Sequence, residues 1–303
     1  MDLHQTMTRS DLRIGVVGLG ALGLPIAVNL NRAGYALRVH TRSRHAETDP
    51  GLAGCQPCAS PAAAAAERDV LLVCVSDDQA VDSVLFGANG AAESLQPGSV
   101  VVDCSTISPS CACAAAKRLA AMGVAYIDAP VTGGTEGARA GTLTVLVGGE
   151  SSVLERVQPL LEVIGGSVHH FGAVGSGQQV KAVNQVLVAG SYAAVAEAVA
   201  LGQRLNLPMD AVIAALKDGA AGSWALNHRS QAMLEGDYPL GFKLALHHKD
   251  LGIALGAASA LNLQLPVTEL VHQIEETLIN AGHGDEDVAG LRRALDDTDQ
   301  DAD

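Results

Sequence analysis

The sequence has few aromatic residues and a shortage of positive charge. Phenylalanine, tyrosine and tryptophan together make up 3% of the 303 residues, so the hydrophobic cores must be built from Ala, Val and Leu. Asp and Glu outnumber Lys and Arg by 33 to 19, which gives a formal net charge of −14. A chain of this sign repels phosphate backbones and anionic lipid headgroups. It therefore argues against a general nucleic-acid-binding or membrane-surface protein.

The six cysteines do not form a disulfide framework or a complete metal site. Cys55 and Cys58 form a CxxC pair, but no second CxxC or His pair completes a zinc site. The adjacent histidines at 169–170 and 247–248 have no carboxylate at ligand spacing around them. We therefore expect reduced thiols and no bound metal.

The sequence also lacks a segment typical of secretion or membrane insertion. The first eleven residues contain no apolar run of the kind found in signal peptides. The longest apolar stretch, residues 186–201, includes Glu197 and is shorter than the ~20 residues that a membrane span needs. We expect a cytoplasmic protein with no membrane partner.

The apolar content of 48% and the length together indicate two folded domains, at roughly 150 residues per domain. Short apolar runs typical of buried strands alternate with helical segments up to about residue 172, and helical periodicity dominates afterwards. The predicted strands of the parallel sheet are 13–17, 36–40, 70–75, 99–103, 125–128 and 143–147. The predicted helical segments between them are 24–33, 61–67, 79–85 and 110–122. This pattern predicts an α/β Rossmann-type doubly wound parallel sheet, followed by an all-α C-terminal domain joined by a long helix from about 175 to 205. The predicted boundaries are a loose tail over 1–12, an α/β domain over 13–172, a helical domain over 173–295 and an acidic tail over 296–303.

A glycine-rich turn follows the first predicted strand and opens the first predicted helix. The spacing is Gly18-x-Gly20-x-x-Gly23, in which glycine allows a tight turn and a close approach of the backbone to a pyrophosphate. This context favours dinucleotide binding over a chance match. The expected cofactor-binding residues of the turn are Gly18, Leu19, Gly20, Ala21, Leu22 and Gly23.

The residues after the second predicted strand indicate which dinucleotide is bound. An NAD-binding site would place Asp or Glu there to accept hydrogen bonds from the ribose hydroxyls. The chain instead reads Thr41, Arg42, Ser43 and Arg44, and an arginine beside hydroxyl groups can hold a 2′-phosphate. We therefore expect NADP rather than NAD, bound by Thr41, Arg42 and Ser43. The alternative is that Arg42 and Arg44 are solvated loop residues.

Lys181 lies near the start of the predicted long helix. Asn184 and Gln185 follow it by three and four residues, so the three side chains share a helix face. A buried face with these residues is costly unless it lines a ligand site. An exposed polar stripe would explain the pattern equally well.

Five segments, taken together, closely resemble the β-hydroxyacid dehydrogenases, a family that includes 3-hydroxyisobutyrate dehydrogenase and tartronate semialdehyde reductase. They are GLGALGLPIAVNL at 18–30, DAPVTGG at 128–134, GARAGTLTVLVGG at 137–149, GSGQQVKAVNQ at 175–185 and KDL at 249–251. The resemblance covers residues 13 to about 295. It implies an N-terminal Rossmann domain, a helical C-terminal domain and an active site in the cleft between them.

The resemblance also implies a role for individual residues. Lys181 matches the catalytic lysine of the family, and Thr132, Gly133 and Gly134 match the residues that anchor the substrate carboxylate. The remaining matches are Thr106 beside the nicotinamide ribose, Phe242 and Asp250 over the nicotinamide and substrate with Lys249 beside them, and Val75, Ser76 and Asp77 along the cofactor. Asn184 and Gln185 are expected to contact substrate. Gln185 stands where many members have asparagine, and the resulting Lys-x-x-Asn-Gln form resembles the tartronate semialdehyde branch of the family, which leaves the choice of substrate open.

These observations predict an NADP-dependent oxidoreductase that interconverts a small β-hydroxy acid and its semialdehyde, with Lys181 exchanging the hydroxyl proton. We expect 3-hydroxyisobutyrate dehydrogenase-like activity, on a small anionic substrate. Tartronate semialdehyde (2-hydroxy-3-oxopropionate) reduction and succinic or glyoxylic semialdehyde reduction are the enzymatic alternatives. A non-catalytic NADP-binding module is an alternative of a different class. Because the long apolar helix exceeds what one small domain can cover, we also expect a homodimer or homotetramer.

Overall fold

The computed structural model describes residues 12–296, and the chain divides into two compact units between Lys181 and Ala182. The two predicted tails lie outside the described residues, apart from Leu12 and Asp296. Each unit has its own hydrophobic core.

The first unit is built on a six-stranded parallel sheet with the strand order β3-β2-β1-β4-β5-β6. Its strands are β1 (Arg13–Val17), β2 (Ala36–His40), β3 (Gln56–Pro57), β4 (Val70–Val73), β5 (Val100–Asp103) and β6 (Ala125–Asp128). The helices that connect them are α1 (Gly23–Arg32), α2 (Pro61–Ala65), α3 (Asp78–Phe86) and α4 (Pro109–Ala120). This is the expected Rossmann-type arrangement. The loops that follow β1, β2, β4 and β5 all leave from the carboxyl edge of the sheet, where such folds bind their ligands.

Apolar residues cover both faces of the central strands. Leu72 and Val102 belong to one core cluster of the first unit, whereas their neighbours Leu71 and Val101 belong to a second cluster. Successive strand residues point to opposite faces, so β4 and β5 are covered by helices on both sides. This explains why their sequences are continuous apolar runs.

A second, smaller sheet follows the main one, and it corrects the sequence-based expectation that residues 143–147 extend the main sheet. It contains β7 (Val131–Thr132), β8 (Leu143–Val147) and β9 (Gly165–His170), with α5 (Gly134–Ala140) and α6 (Ser151–Ile164) between them. Strand β8 pairs antiparallel with β7 and parallel with β9. Helix α5 connects β7 to β8, and the chain turns at Gly133 and Gly134 where the helix begins and at Gly141 where it ends, all with positive φ.

The second unit is helical in its described residues, apart from one isolated bridge between Lys243 and Asp287. Helix α7 (Ser176–Arg204) begins in the first unit and continues into the second. The other helices are α8 (Met209–Leu216), α9 (Trp224–Glu235), α10 (Leu244–Ala260) and α11 (Pro266–Asn280), with a 3₁₀ segment at Val288–Leu295. By length and composition α7 could span a membrane, and 44% of its most apolar window is buried. Since core helices of soluble proteins meet the same criterion, this is weak evidence for a span.

Candidate active site

The three glycines of the first turn serve two different purposes. A Cβ at Gly18 would lie 2.1 Å from the carbonyl oxygen of Cys74, and one at Gly23 would lie 1.9 Å from the carbonyl oxygen of Gly18. Packing therefore requires glycine at both positions. A Cβ at Gly20 would meet no atom within 4 Å. The backbone at Gly20 faces open space, as it must if a ligand is to approach it closely.

The start of α1 differs from the starts of the three helices that follow it in the sheet domain. Ser60, Asp77 and Ser108 each accept a backbone N–H bond at the start of α2, α3 and α4. Leu22 precedes α1, which has neither a side-chain cap nor an acidic residue in its first turn. Backbone N–H groups at such a helix start suit an anion. Together with the open space at Gly20, this fits the pyrophosphate of a dinucleotide.

The loop after β2 contains a carboxylate that the sequence did not reveal. Thr41 is half-buried, while Arg42 and Ser43 are exposed. Glu47 is buried, with one carboxylate oxygen accepting the N–H of Thr41 at 2.9 Å and the other accepting Nε of Arg44 at 2.7 Å. Although no acid follows β2 directly in sequence, the 3₁₀ turn at His45–Thr48 returns one to this loop. The ion pair with Arg44 offsets its charge.

The loops after β4 and β5 are joined by hydrogen bonds. The hydroxyl of Ser105 accepts the N–H of Val75 at 2.9 Å, and the N–H of Ser105 donates to Asp103 at 2.9 Å. Asp77 accepts the N–H of Ala80 at 2.8 Å, so it caps α3, and its other oxygen accepts the exposed hydroxyl of Ser76 at 2.6 Å. The predicted cofactor residues 75–77 thus lie at the carboxyl edge, held to the loop that contains Thr106.

The start of α7 is fixed by Asp128, the last residue of β6. The carboxylate of Asp128 accepts the N–H of Gly175 at 2.7 Å and that of Gln178 at 2.9 Å. Burial raises the pKa of Asp128, and the backbone hydrogen bonds oppose that rise. Lys181 lies one turn farther along α7 and is 7% exposed. Sequence reasoning placed Asp128 in a motif but did not find its role as the anchor of the lysine helix.

The predicted carboxylate anchor lies where the chain leaves the short strand β7. Thr132 is half-buried at the end of β7. Gly133 and Gly134 follow it with φ values of 128° and 64°, which L-residues with a side chain rarely adopt. Glycine is therefore required here by the backbone conformation. Consecutive glycines of this kind present backbone N–H groups on the surface of the turn.

In the second unit, the predicted substrate residues form one polar chain. The amide of Gln185 donates to Asp250 at 2.7 Å and accepts from Nδ2 of Asn184 at 2.7 Å. Nζ of Lys249 lies 2.8 Å from the other carboxylate oxygen of Asp250. Gln185 and Asp250 are both buried. The desolvation cost of this face is thus offset by internal hydrogen bonds, which the sequence alone could not indicate.

Phe242 is held in place through its main chain. One carboxylate oxygen of the buried Asp287 accepts the N–H groups of Gly241 at 2.9 Å and Phe242 at 2.8 Å. The ring of Phe242 packs edge-on against the ring of His247, with 5.7 Å between centroids. His247 in turn forms a fully buried pair with Glu275, at 2.6 Å. Sequence reasoning missed these supports because they lie 5, 33 and 45 residues from Phe242, at spacings that no local pattern connects to it.

Many of the predicted residues fall into two groups, one in each unit, whereas Thr132, Gly133, Gly134, Lys181 and Phe242 lie at the separate positions described above. The first contains residues 18–23, 41–43, 75–77 and Thr106 on loops at one sheet edge. The second contains Asn184, Gln185, Lys249 and Asp250. Within residues 12–296, no group of three or more His, Cys, Asp or Glu side chains is arranged to hold a metal ion.

Comparison with known protein families gives a match for each of the two parts of the chain. Residues 13–172 match the family model described as the NAD binding domain of 6-phosphogluconate dehydrogenase, and residues 175–295 match that described as NAD-binding of NADP-dependent 3-hydroxyisobutyrate dehydrogenase. Solved structural neighbours include complexes with NADP+ and with NAD+.

Relatives that match over most of their length are named as dehydrogenases or reductases of hydroxy acids. The chain is 39% identical to L-threonate dehydrogenase of Cupriavidus necator, over 90% of this chain and 93% of that protein. It is 37% identical to 2-hydroxy-3-oxopropionate reductase of Escherichia coli, over 94% of this chain and 97% of that one. The structure of Mycobacterium tuberculosis 3-hydroxyisobutyrate dehydrogenase with L-serine superposes with a TM-score of 0.82 at 30% identity, covering 94% of this chain and 99% of that one.

The matches cover 90 to 94% of this chain and 93 to 99% of the relatives, so nearly the whole length of each is compared. The glycine turn, the uncapped helix and the buried lysine agree with the resemblance drawn from the sequence. These findings set aside the non-catalytic module as an interpretation. The chain belongs to the β-hydroxyacid dehydrogenase family and is an NAD(P)-dependent oxidoreductase of hydroxy acids.

Proposed function

We propose that this enzyme interconverts a small β-hydroxy acid and its semialdehyde, with NADP as cofactor and Lys181 as the acid/base. The observation that carries the proposal is the burial of Lys181, at 7% exposure, within two turns of a helix start that Asp128 fixes. Lysine is rarely buried to this extent. We also propose that the enzyme is cytoplasmic. Residues 13–172 form its cofactor domain, and residues 173–295 form its substrate and oligomerisation domain.

Lys181 handles the proton of the reaction. When bound, the nicotinamide supplies or accepts the hydride at the carbinol carbon. In the reducing direction, the Lys181 ammonium donates a hydrogen bond to the aldehyde oxygen and then transfers its proton to it. In the oxidising direction, the neutral amine accepts the hydroxyl proton. A positioned acid/base of this kind contributes about 10²–10⁴-fold to the rate. The hydroxyl of Thr132 and the N–H groups of Gly133 and Gly134 bind the substrate carboxylate.

The cofactor is assigned to the loops at the sheet edge. The turn at 18–23 and the uncapped start of α1 bind the pyrophosphate. Thr41, Arg42 and Ser43 bind the 2′-phosphate of NADP. The ion pair between Glu47 and Arg44 supports this assignment, because it offsets the buried carboxylate that faces Thr41 while Arg42 stays exposed.

Replacing Arg42 tests the choice of cofactor. Arg42→Met keeps the length of the side chain and removes the phosphate contact, so the Kd for NADPH should rise about tenfold or more, which corresponds to about 1.4 kcal/mol. The Kd for NADH should change less than about twofold. Arg32→Met, at another exposed arginine, is the matched control. An Arg42→Met enzyme that binds NADPH as tightly as the wild type would overturn the NADP assignment.

Replacing Lys181 tests the acid/base. Lys181→Met preserves an unbranched side chain of similar length, so we expect kcat to fall about 10²-fold or more while NADPH still binds. The exposed Lys217 provides the control, Lys217→Met, for which kcat should match the wild type. Retention of wild-type kcat by Lys181→Met would remove the lysine from the mechanism.

The substrate is proposed to be of the 3-hydroxyisobutyrate type. Gln185 stands at the position that is asparagine in many members, and its amide is held by Asn184 and Asp250. The 30% identity to the 3-hydroxyisobutyrate dehydrogenase of Mycobacterium tuberculosis supports this choice. Tartronate semialdehyde, succinic or glyoxylic semialdehyde and the L-threonate of a relative remain the competing substrates. A methyl or hydroxyl difference is worth only a few kcal/mol in such pockets.

We also propose that the enzyme is a homodimer or homotetramer. Helix α7 exposes several large apolar side chains, and the start of α11 exposes more. They are Val183, Leu187, Leu201, Val267 and Leu270, of which Leu187 is 68% exposed. Val183, Leu187 and Leu201 recur at helical spacing on one face of α7, and an exposed apolar helix face is typical of protein interfaces. Sedimentation equilibrium tests the proposal, since a monomer at micromolar concentration would contradict it.

A further inference from the structure

Gln178 lies in the first turn of α7, the helix of Lys181, and faces the loop that contains Thr106. These three residues belong to the first unit. Its side chain is buried, with 1% exposure. Nε2 of Gln178 donates to the carbonyl oxygen of Ser105 at 2.8 Å, and Oε1 accepts the N–H of Ile107 at 3.2 Å. The two hydrogen bonds therefore hold the residues on either side of Thr106.

The main chain of Gln178 is fixed as well. Its N–H donates to the Asp128 carboxylate, which also holds Gly175. A Cβ at Gly177 would lie 2.3 Å from the carbonyl oxygen of Leu146, so the start of α7 packs directly against the backbone of β8. Gln178 thus has no freedom to shift along or across the sheet edge.

The hydrogen-bonded network continues from Gln178 to a second cofactor loop. Ser105, whose carbonyl oxygen binds Gln178, accepts the N–H of Val75 on its hydroxyl. The loops after β4 and β5 and the first turn of α7 are therefore one connected polar framework. Only a side chain with a donor and an acceptor at its end, such as glutamine, can satisfy the Ser105 carbonyl and the Ile107 N–H together.

We propose that Gln178 is a positioning residue, which sets the separation between Thr106 and Lys181. The inference rests on the proposed function, in which Thr106 lies beside the nicotinamide ribose and Lys181 exchanges the proton. Lys181 follows Gln178 by three residues, so the two side chains lie on one face of α7. Displacement of a reacting group by about 1 Å can reduce a rate about 10²-fold. A rigid link between the cofactor loop and the lysine helix prevents such displacement.

Gln178→Met tests the proposal, because methionine fills the same space without either hydrogen bond. The exposed neighbour provides the matched control, Gln179→Met. The first readout is peptide-resolved hydrogen exchange of residues 103–108 in the protein without cofactor. We expect exchange in Gln178→Met to be about tenfold faster or more, and exchange in Gln179→Met to match the wild type.

The second readout separates positioning from folding. With both substrates saturating, kcat of Gln178→Met should fall about tenfold or more, while the KM for the aldehyde and the Kd for NADPH change less than about threefold. The deuterium isotope effect on kcat, measured with NADPH deuterated at the transferred position, should rise because hydride transfer becomes slower. An unchanged kcat and isotope effect would overturn the proposal, even if the protein were less stable.

Gln178→Glu keeps the test decisive if Gln178→Met does not fold. An ionised glutamate presents two acceptors, and a protonated one restores a donor for the Ser105 carbonyl. The ratio of its kcat to that of the wild type should therefore rise as the pH is lowered, and a constant ratio would overturn the proposal.

Lys181→Met is assayed in parallel. If the wild type turns over no aldehyde, the proposed function fails, whereas normal catalysis by both Gln178 variants refutes only the positioning role.

Discussion

The buried carboxyl group of Asp103 makes the stability of the first unit dependent on pH. Asp103 is fully buried at the end of β5, where it accepts the N–H of Ser105 and the hydroxyl of Tyr126, each at 2.9 Å. Burial raises the pKa of Asp103 from 3.8 to about 6, although these hydrogen bonds oppose the rise. The protonated form is therefore favoured in the folded state more than in the unfolded chain.

The sign of the effect follows from the raised pKa. Between pH 3.8 and about 6, the folded protein binds more protons at Asp103 than the unfolded chain does, so stability falls as the pH rises. The favourable contribution is fully present below the unfolded pKa and is lost as the pH passes through the folded pKa. About two pKa units correspond to about 3 kcal/mol in total, of which about 1 kcal/mol is lost between pH 5 and pH 7.

Asp103→Asn removes this dependence. An asparagine stays neutral and can still accept the N–H of Ser105 and donate to the hydroxyl of Tyr126. The free energy of unfolding of the wild type, relative to the variant, should fall by about 1 kcal/mol from pH 5 to pH 7. Urea denaturation at four pH values, followed by far-UV circular dichroism, measures it. The exposed Asp218 gives the control, Asp218→Asn. A difference that is constant, or that rises with pH, would refute the reasoning.

Four further substitutions have expected outcomes. Gly20→Ala should leave the free energy of unfolding within about 0.5 kcal/mol of the wild-type value but weaken NADPH binding in fluorescence titration. Gly23→Ala should instead destabilise the fold, since its Cβ would lie 1.9 Å from a carbonyl oxygen. Asp128→Asn should cost about 1.5–3 kcal/mol in urea denaturation, because one charged acceptor of a helix N–H is lost. Gln185→Glu should lower the Tm at neutral pH, measured by thermal denaturation, because it replaces a donor to Asp250 with a second carboxylate.

The sequence was most informative where apolar runs and glycine spacing act locally. The predicted strands at 13–17 and 36–40 coincide with β1 and β2, because a buried parallel strand leaves a continuous apolar run. The long helix was also predicted to within a residue or two at each end. In contrast, α6 was missed. Pro159 lies inside it, and proline is unfavourable in helix interiors.

The candidate site was less predictable, because its supports come from distant parts of the chain. Glu47, Asp128 and Gln178 act on residues 6, 47 and about 72 positions away, and no local spacing reveals such partners. Burial of Lys181 was equally hidden, since its neighbours along α7 fitted a ligand site and an exposed stripe alike. The roles of Thr132, Gly133 and Gly134 stay predictions that rest on the resemblance.

We propose that this chain is an NADP-dependent reductase of a small acid aldehyde. The most direct test is the initial rate of NADPH oxidation by the wild type with the semialdehydes of methylmalonate, tartronate and succinate and with glyoxylate, with NADH in parallel. We expect one aldehyde to exceed the others by about tenfold or more in kcat/KM, methylmalonate semialdehyde first, and we expect NADPH to be preferred. Tight binding of NADPH without turnover of any aldehyde, or a preference for NADH, would contradict it.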